Sequence, residues 1–150
     1  MTPTYEEYVK ACTRIRQQNA GLLSDFGDWL AHRGLSAQTI RMHVQNCDLY
    51  INTYLLYEDA IEAKDGAYQV GMFLGYWFIR KAAWSSVPSI RRQASSLKKF
   101  YTFLHEQGFV QEEAVQQVRE TIKERMPEWL ATMRRYEDPA ITDPAVIWGL

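Results

Sequence analysis

The stretch SSVPSIRRQASSLKKFYTFLHEQGF, residues 85–109, decides the fold of this chain. Ser86 followed by Pro88 reads as a helix start. A serine side chain accepts a hydrogen bond from a free backbone N–H, and a proline in the first turn loses nothing by lacking one. Ile90, Ala94, Leu97, Tyr101 and Leu104 then recur at steps of four and three residues. Such a stripe on one side of a helix must face a core. Arg91, Ser95, Lys98 and Thr102 repeat those steps one residue later, with Arg92 and Lys99 alongside. The helix, ending near Gln107-Gly108, therefore buries one side and offers cations and hydroxyls on the next. Phe100, Tyr101 and Phe103 are read as core, because a helix interior does not splay bases as a sheet platform does.

That local charge stands out against the whole. The chain carries 17 Lys and Arg against 18 Asp and Glu, a net charge of −1. Residues 1–79 hold six basic and nine acidic groups, residues 80–105 six and none, and residues 106–150 five and nine. Charges farther apart than about 10 Å are screened at about 0.1 M salt, so an anionic ligand responds to the local excess rather than the total. A hydrophobic content of 47 %, rich in aromatic residues, is that of a globular chain of 150 residues, expected to form one domain. The longest apolar run, VGMFLGYWFI at 70–79, suits a buried helix and is too short to span a bilayer. With no signal pattern at MTPTYEEYVK, a cytoplasmic location is the expectation. Cys12 and Cys47 stand alone, without the spacing of a zinc site or a disulfide framework, and are read as ordinary helix residues.

Helical spacing recurs almost everywhere and strand-like alternation does not. The pattern predicts an all-α compact bundle of five to six helices, at about 4–19, 22–32, 36–57, 67–82, 86–107 and 111–135, the first able to run into the second. Arg33-Gly34 is a C-terminal cap and Ser36 an N-cap. Pro127 is expected to kink or divide the last helix. Residues 1–135 form the helical domain, and 136–150, with two prolines, an irregular tail.

The helix from Ser36 repeats the logic with less charge. Ile40, Val44, Cys47, Ile51 and Leu55 make its core stripe. Arg41, Gln45 and His43 fall outside it; Gln45 has the amide to read a base edge, and His43 is expected at the surface or in a cap. Ser36 and Ser86 open parallel motifs 50 residues apart, each with a hydroxyl residue three positions on and then Ile-Arg.

SAQTIRMHV at 36–44, followed after a buried helix by SVPSIRRQASSLKKFYTFLHEQGFV at 86–110, resembles the N-terminal core-binding domain of tyrosine recombinases, the phage integrases. The likeness rests on Leu35, Ser36, Thr39, Ile40 and Arg41 in the first motif. In the second it rests on Ser86, Ser89, Ile90, Arg92, Ser95, Leu97, Lys98, Phe100, Tyr101, Phe103, Leu104 and Gly108. It covers about residues 20–110. The resemblance implies a SAM-like helical bundle that closes over one face of duplex DNA in site-specific recombination. It places the DNA contacts on Ser36, Thr39, Arg41, Ser86, Ser89, Arg91, Arg92, Ser95 and Lys98, with Lys99 as a neighbour. A recombinase or a second copy of the chain are the further partners expected; no membrane partner or cofactor is expected.

Two departures accompany the likeness. None of His32, His43 and His105 is followed three residues later by Arg, and Tyr136 lacks the positioned cations that phosphoryl transfer needs. No glycine-rich phosphate loop, metal triad or nucleophile–histidine pair is present, so catalysis is not expected. In place of the family's short proline-rich linker stands an extra helix at 111–135, acidic at Glu112 and Glu113. Its placement is open between the bundle, a partner and the basic face itself. The alternative to DNA binding is a protein-interaction module that docks through Trp129, Trp148 and the tail AVIWGL.

Overall fold

The computed structural model describes residues 2–150, which form an all-α bundle of six helices with no strand among them. Helix α1 is Tyr5–His32. Helix α2, Ala37–Asp48, widens into a π-helix over Leu49–Tyr54. Helix α3, residues 70–81, is α-helical at Val70–Met72 and Phe78–Lys81 with a π-helix, Phe73–Trp77, between. Helices α4, Val87–Glu106, and α5, Glu112–Glu137, form an antiparallel hairpin, and α6 is the short Pro144–Trp148. No helix among the described residues is long and apolar enough to cross a membrane.

The caps read from the sequence are present. Ser36 Oγ accepts from Thr39 N at 3.2 Å, and Gly34 and Gly108 take the positive φ that ends α1 and α4. The α4 stripe of Ile90, Ala94, Leu97, Tyr101 and Leu104 is buried throughout. Phe26 of α1 meets Phe100 edge-on at 5.2 Å and Phe103 at 5.5 Å, an aromatic contact worth about 0.5–1.5 kcal/mol beyond area burial. The two π-helices face each other through Tyr50, Tyr54, Phe73 and Trp77, with Tyr50 and Phe73 centroids 4.8 Å apart. The hydroxyls of buried Tyr50 and Tyr101 donate to Gly66 O at 2.6 Å and Ala63 O at 2.8 Å, tying the polar 58–66 loop to the core. Burial pushes both phenols well above their ordinary pKa.

One open choice is resolved and two expectations change, each through tertiary packing. α1 runs without a break past residues 19–22, because buried Asn19 donates across to Ile51 O at 3.2 Å and Asn52 Oδ1 at 2.8 Å. α5 passes through Pro127 undivided. Burial of Ile122, Trp129, Leu130 and Met133 on either side outweighs the roughly 3 kcal/mol that a mid-helix proline costs. The tail is ordered over Pro144–Trp148: Asp143 caps it by accepting from Ala145 N at 2.9 Å, and Trp148 packs against Tyr76 at 4.8 Å and Tyr136 at 6.1 Å.

α3 and α5 approach closely because two glycines, Gly71 and Gly75, sit one turn apart opposite Thr121, Arg125 and Trp129. A methyl group at position 75 would stand 2.6 Å from Trp129 Nε1, so this crossing needs the missing side chain. Trp129 is thereby buried in the core. It is not available for docking a partner, which removes it from the interaction surface expected of it.

Candidate nucleic-acid interface

The start of α4 is held by its own serines. Ser86 Oγ accepts from Ser89 N at 3.1 Å while Ser89 Oγ accepts from Ser86 N at 2.8 Å, a reciprocal capping box. Ser89 is buried and also donates to Ser86 O, so its hydroxyl is committed to the helix. Ser36 and Thr39 share a similar cap, with 3.0 Å between their hydroxyl oxygens. These four residues set where the two helices begin and how they point.

From that fixed start, Arg91, Ser95, Lys98, Lys99 and Thr102 line one side of a groove of about 740 Å³. The opposite wall is α5, through Arg119, Ile122, Lys123 and Met126, and the end of α1 adds Trp29, Leu30, Arg33 and the nearby Leu35. The lining thus brings six cations together over an apolar floor, and it includes no carboxylate. Arg33 alone is neutralised: it pairs with Glu106 at 2.7 Å and stacks at 3.9 Å on Trp29, whose Nε1 donates to the same carboxylate at 3.3 Å. Among the described residues the other five, Arg91, Lys98, Lys99, Arg119 and Lys123, form no ion pair. Arg119 is positioned by donating to Thr102 Oγ1 at 3.1 Å, and Thr102 in turn donates to Lys98 O at 2.8 Å.

α5 therefore lies beside the basic face and extends it. Glu120, Glu124 and Glu128 are exposed but lie outside the groove lining, on the flank of α5 turned from it. Arg119 and Lys123 were not among the residues the sequence singled out. Their signal was a pair of cations one turn apart beside Ile122 and Met126, which gains meaning only once α5 is paired with α4.

Arg41 and Arg92 are exposed and line no part of the groove. Arg41 lies two residues from buried His43, which at 100° per residue turns it to the side of α2 away from α4. Gln45 is exposed on that same side. The concavity is thus built by α1, α4 and α5 rather than between the flanks of α2 and α4.

His43 corrects the expectation of a surface or capping residue. It is 3 % exposed, with Nδ1 2.7 Å from Ser96 Oγ. Ser96 Oγ also lies 3.0 Å from Arg92 O and accepts from Asn46 Nδ2 at 3.0 Å. Gln93 closes the seam by donating to Asn46 O at 2.7 Å. Burial holds the His43 pKa below its ordinary value, and the charge of Lys99 pushes it the same way.

The fold and the groove together define an all-α protein with a cleft lined by cations. No family model, curated protein or solved structure matches the chain. Among the described residues no group of His, Cys, Asp and Glu is placed to hold a metal ion.

Proposed function

We propose that this protein is a DNA-binding helical domain that holds duplex DNA by its phosphate backbone at the α4–α5 groove. One observation carries the reading: five cations line a single groove with no carboxylate to neutralise them. Such a cluster is self-repelling in the free protein, and a row of phosphates relieves it. Arginine can bond two phosphate oxygens at once and lysine acts as a point charge, while Ser95 supplies a hydroxyl. The resemblance to the core-binding domain of tyrosine recombinases supports the same ligand. A role in site-specific recombination or DNA integration is the wider part of the proposal, with the domain acting beside a catalytic partner.

The test is a fluorescence titration of duplex DNA at several salt concentrations. With five phosphates contacted, log K is expected to fall against log[salt] with a slope of about −4 to −5. Replacing Arg91 and Lys98 by Ala should weaken binding and flatten that slope. Binding unmoved by both substitutions ends the assignment.

A second reading, docking of a protein partner or a second copy, has its own observation. Tyr68, Met72 and Tyr76 are exposed one helical turn apart, and Trp84 is 60 % exposed. A dimer whose population grows with concentration, in a chain without affinity for DNA, favours that reading.

A further inference from the structure

We propose that α5 is half of the binding surface. One DNA strand seats its phosphates along the seam between α4 and α5, and Arg119 and Lys123 are binding residues. This rests on the DNA-binding reading and adds to it a specific strand path and two residues outside the integrase-like motifs.

The register of the two helices carries the argument. The Arg119–Thr102 hydrogen bond at 3.1 Å fixes one level of the seam. In an antiparallel hairpin, Lys123 lies one turn further along α5 and Lys98 one turn back along α4, so both arrive at the next level. Four residues at 1.5 Å each separate the levels by about 6 Å, a spacing comparable with that of successive phosphates on one strand. Arg91 lies two further turns along the same line. The groove lining contains no Asn or Gln, the residues that read adenine edges, so the seam is equipped for backbone rather than sequence.

Charge around the seam limits the ligand to one strand. Glu120 and Glu124 each follow a groove cation by one residue, which puts them about 100° around α5 on its exposed flank. A second strand lying over that flank would meet carboxylates. At the far end, Glu106 is occupied by Arg33 and Trp29 and stands as a stop.

The experiment measures binding of a fluorescein-labelled 20-base-pair duplex of arbitrary sequence (length about two helical turns) across a salt series. R119Q/K123Q is compared with R91A/K98A and with the four-fold variant, each checked by thermal melting. R119Q/K123Q is expected to weaken low-salt binding about tenfold and to reduce the salt slope by about 2, since each phosphate-contacting cation contributes about 1. T102V, which frees Arg119 without removing charge, and R119K/K123R, which keeps the charge, should both retain most of the affinity. The proposal is overturned if R119Q/K123Q binds like the wild type while R91A/K98A does not, an outcome that leaves the DNA-binding reading intact. If the wild type does not bind, or neither pair alters binding, both fall together. If T102V loses as much as R119Q/K123Q, Arg119 acts by holding the hairpin and not by touching DNA.

Discussion

The two flanks of α4 carry similar polar residues and do different work. On the α2 side, Gln93 and Ser96 are buried and joined to His43 and Asn46 by hydrogen bonds of 2.7–3.0 Å. On the α5 side, Arg91, Lys98 and Lys99 line an open groove and have no carboxylate partner. Burial separates them. A polar group taken out of water must find partners within the protein, whereas one left in a groove is free to take them from a ligand. The first flank specifies how helices fit together, and the second leaves its charges open to solvent.

The sharpest break in this contrast is charge reversal on the open flank. R91E/K98E should lower DNA affinity on the order of a hundredfold at low salt, about 2.7 kcal/mol, with melting temperature little changed. R92A, one residue away and outside the groove, should change affinity far less; equal losses in a titration of the two variants would dissolve the distinction between flanks. The converse substitution is S96A. It leaves His43 Nδ1 and the Asn46 amide without their shared hydroxyl partner in a buried seam, at a cost of about 2 kcal/mol, readable by urea denaturation. Its DNA salt slope should match the wild type.

Acid should probe the closed flank in a smaller way. His43 titrates below its ordinary value of 6.5 when folded, so between those two pKa values the unfolded chain binds more protons than the native one. Stability should therefore be full above about pH 6.5, fall as the pH drops toward the folded pKa, and level off beneath it. H43Q should flatten this part of a melting profile taken against pH; an unchanged profile would assign the acid sensitivity to other groups. Smallest of all is a link between the flanks. Because Lys99 lowers the His43 pKa, K99Q should raise it, and NMR titration of the His43 ring is the measurement.

Much of this was legible in residue spacing. The buried stripe of α4, the caps at Ser36 and Ser86 and the all-helical class depend on local periodicity and local hydrogen bonds. What spacing does not contain is which helix lies against which. His43 sits at the margin of the α2 stripe, and its burial was decided by Ser96, 53 residues away. α1 continues through the Asn19 region because of a contact with residues 51 and 52, and α5 survives Pro127 because both of its neighbouring turns are packed. The site divided along the same line. The α4 half was readable from one helix, while Arg119 and Lys123 joined it through a pairing with no local signature.

Gly75 gives the α5 wall an unexpected dependence. It carries no charge and touches a flank of α5 other than the one that lines the groove, yet it determines how near that helix can come to the rest of the protein. Adding a single carbon there would lever Trp129 outward and carry Arg119 and Lys123 with it, misaligning the cationic ladder from a distance. Loss of binding in a variant remote from every cation would then speak of scaffolding, and sequence drift at position 75 would tune the cleft without altering one of its chemical groups.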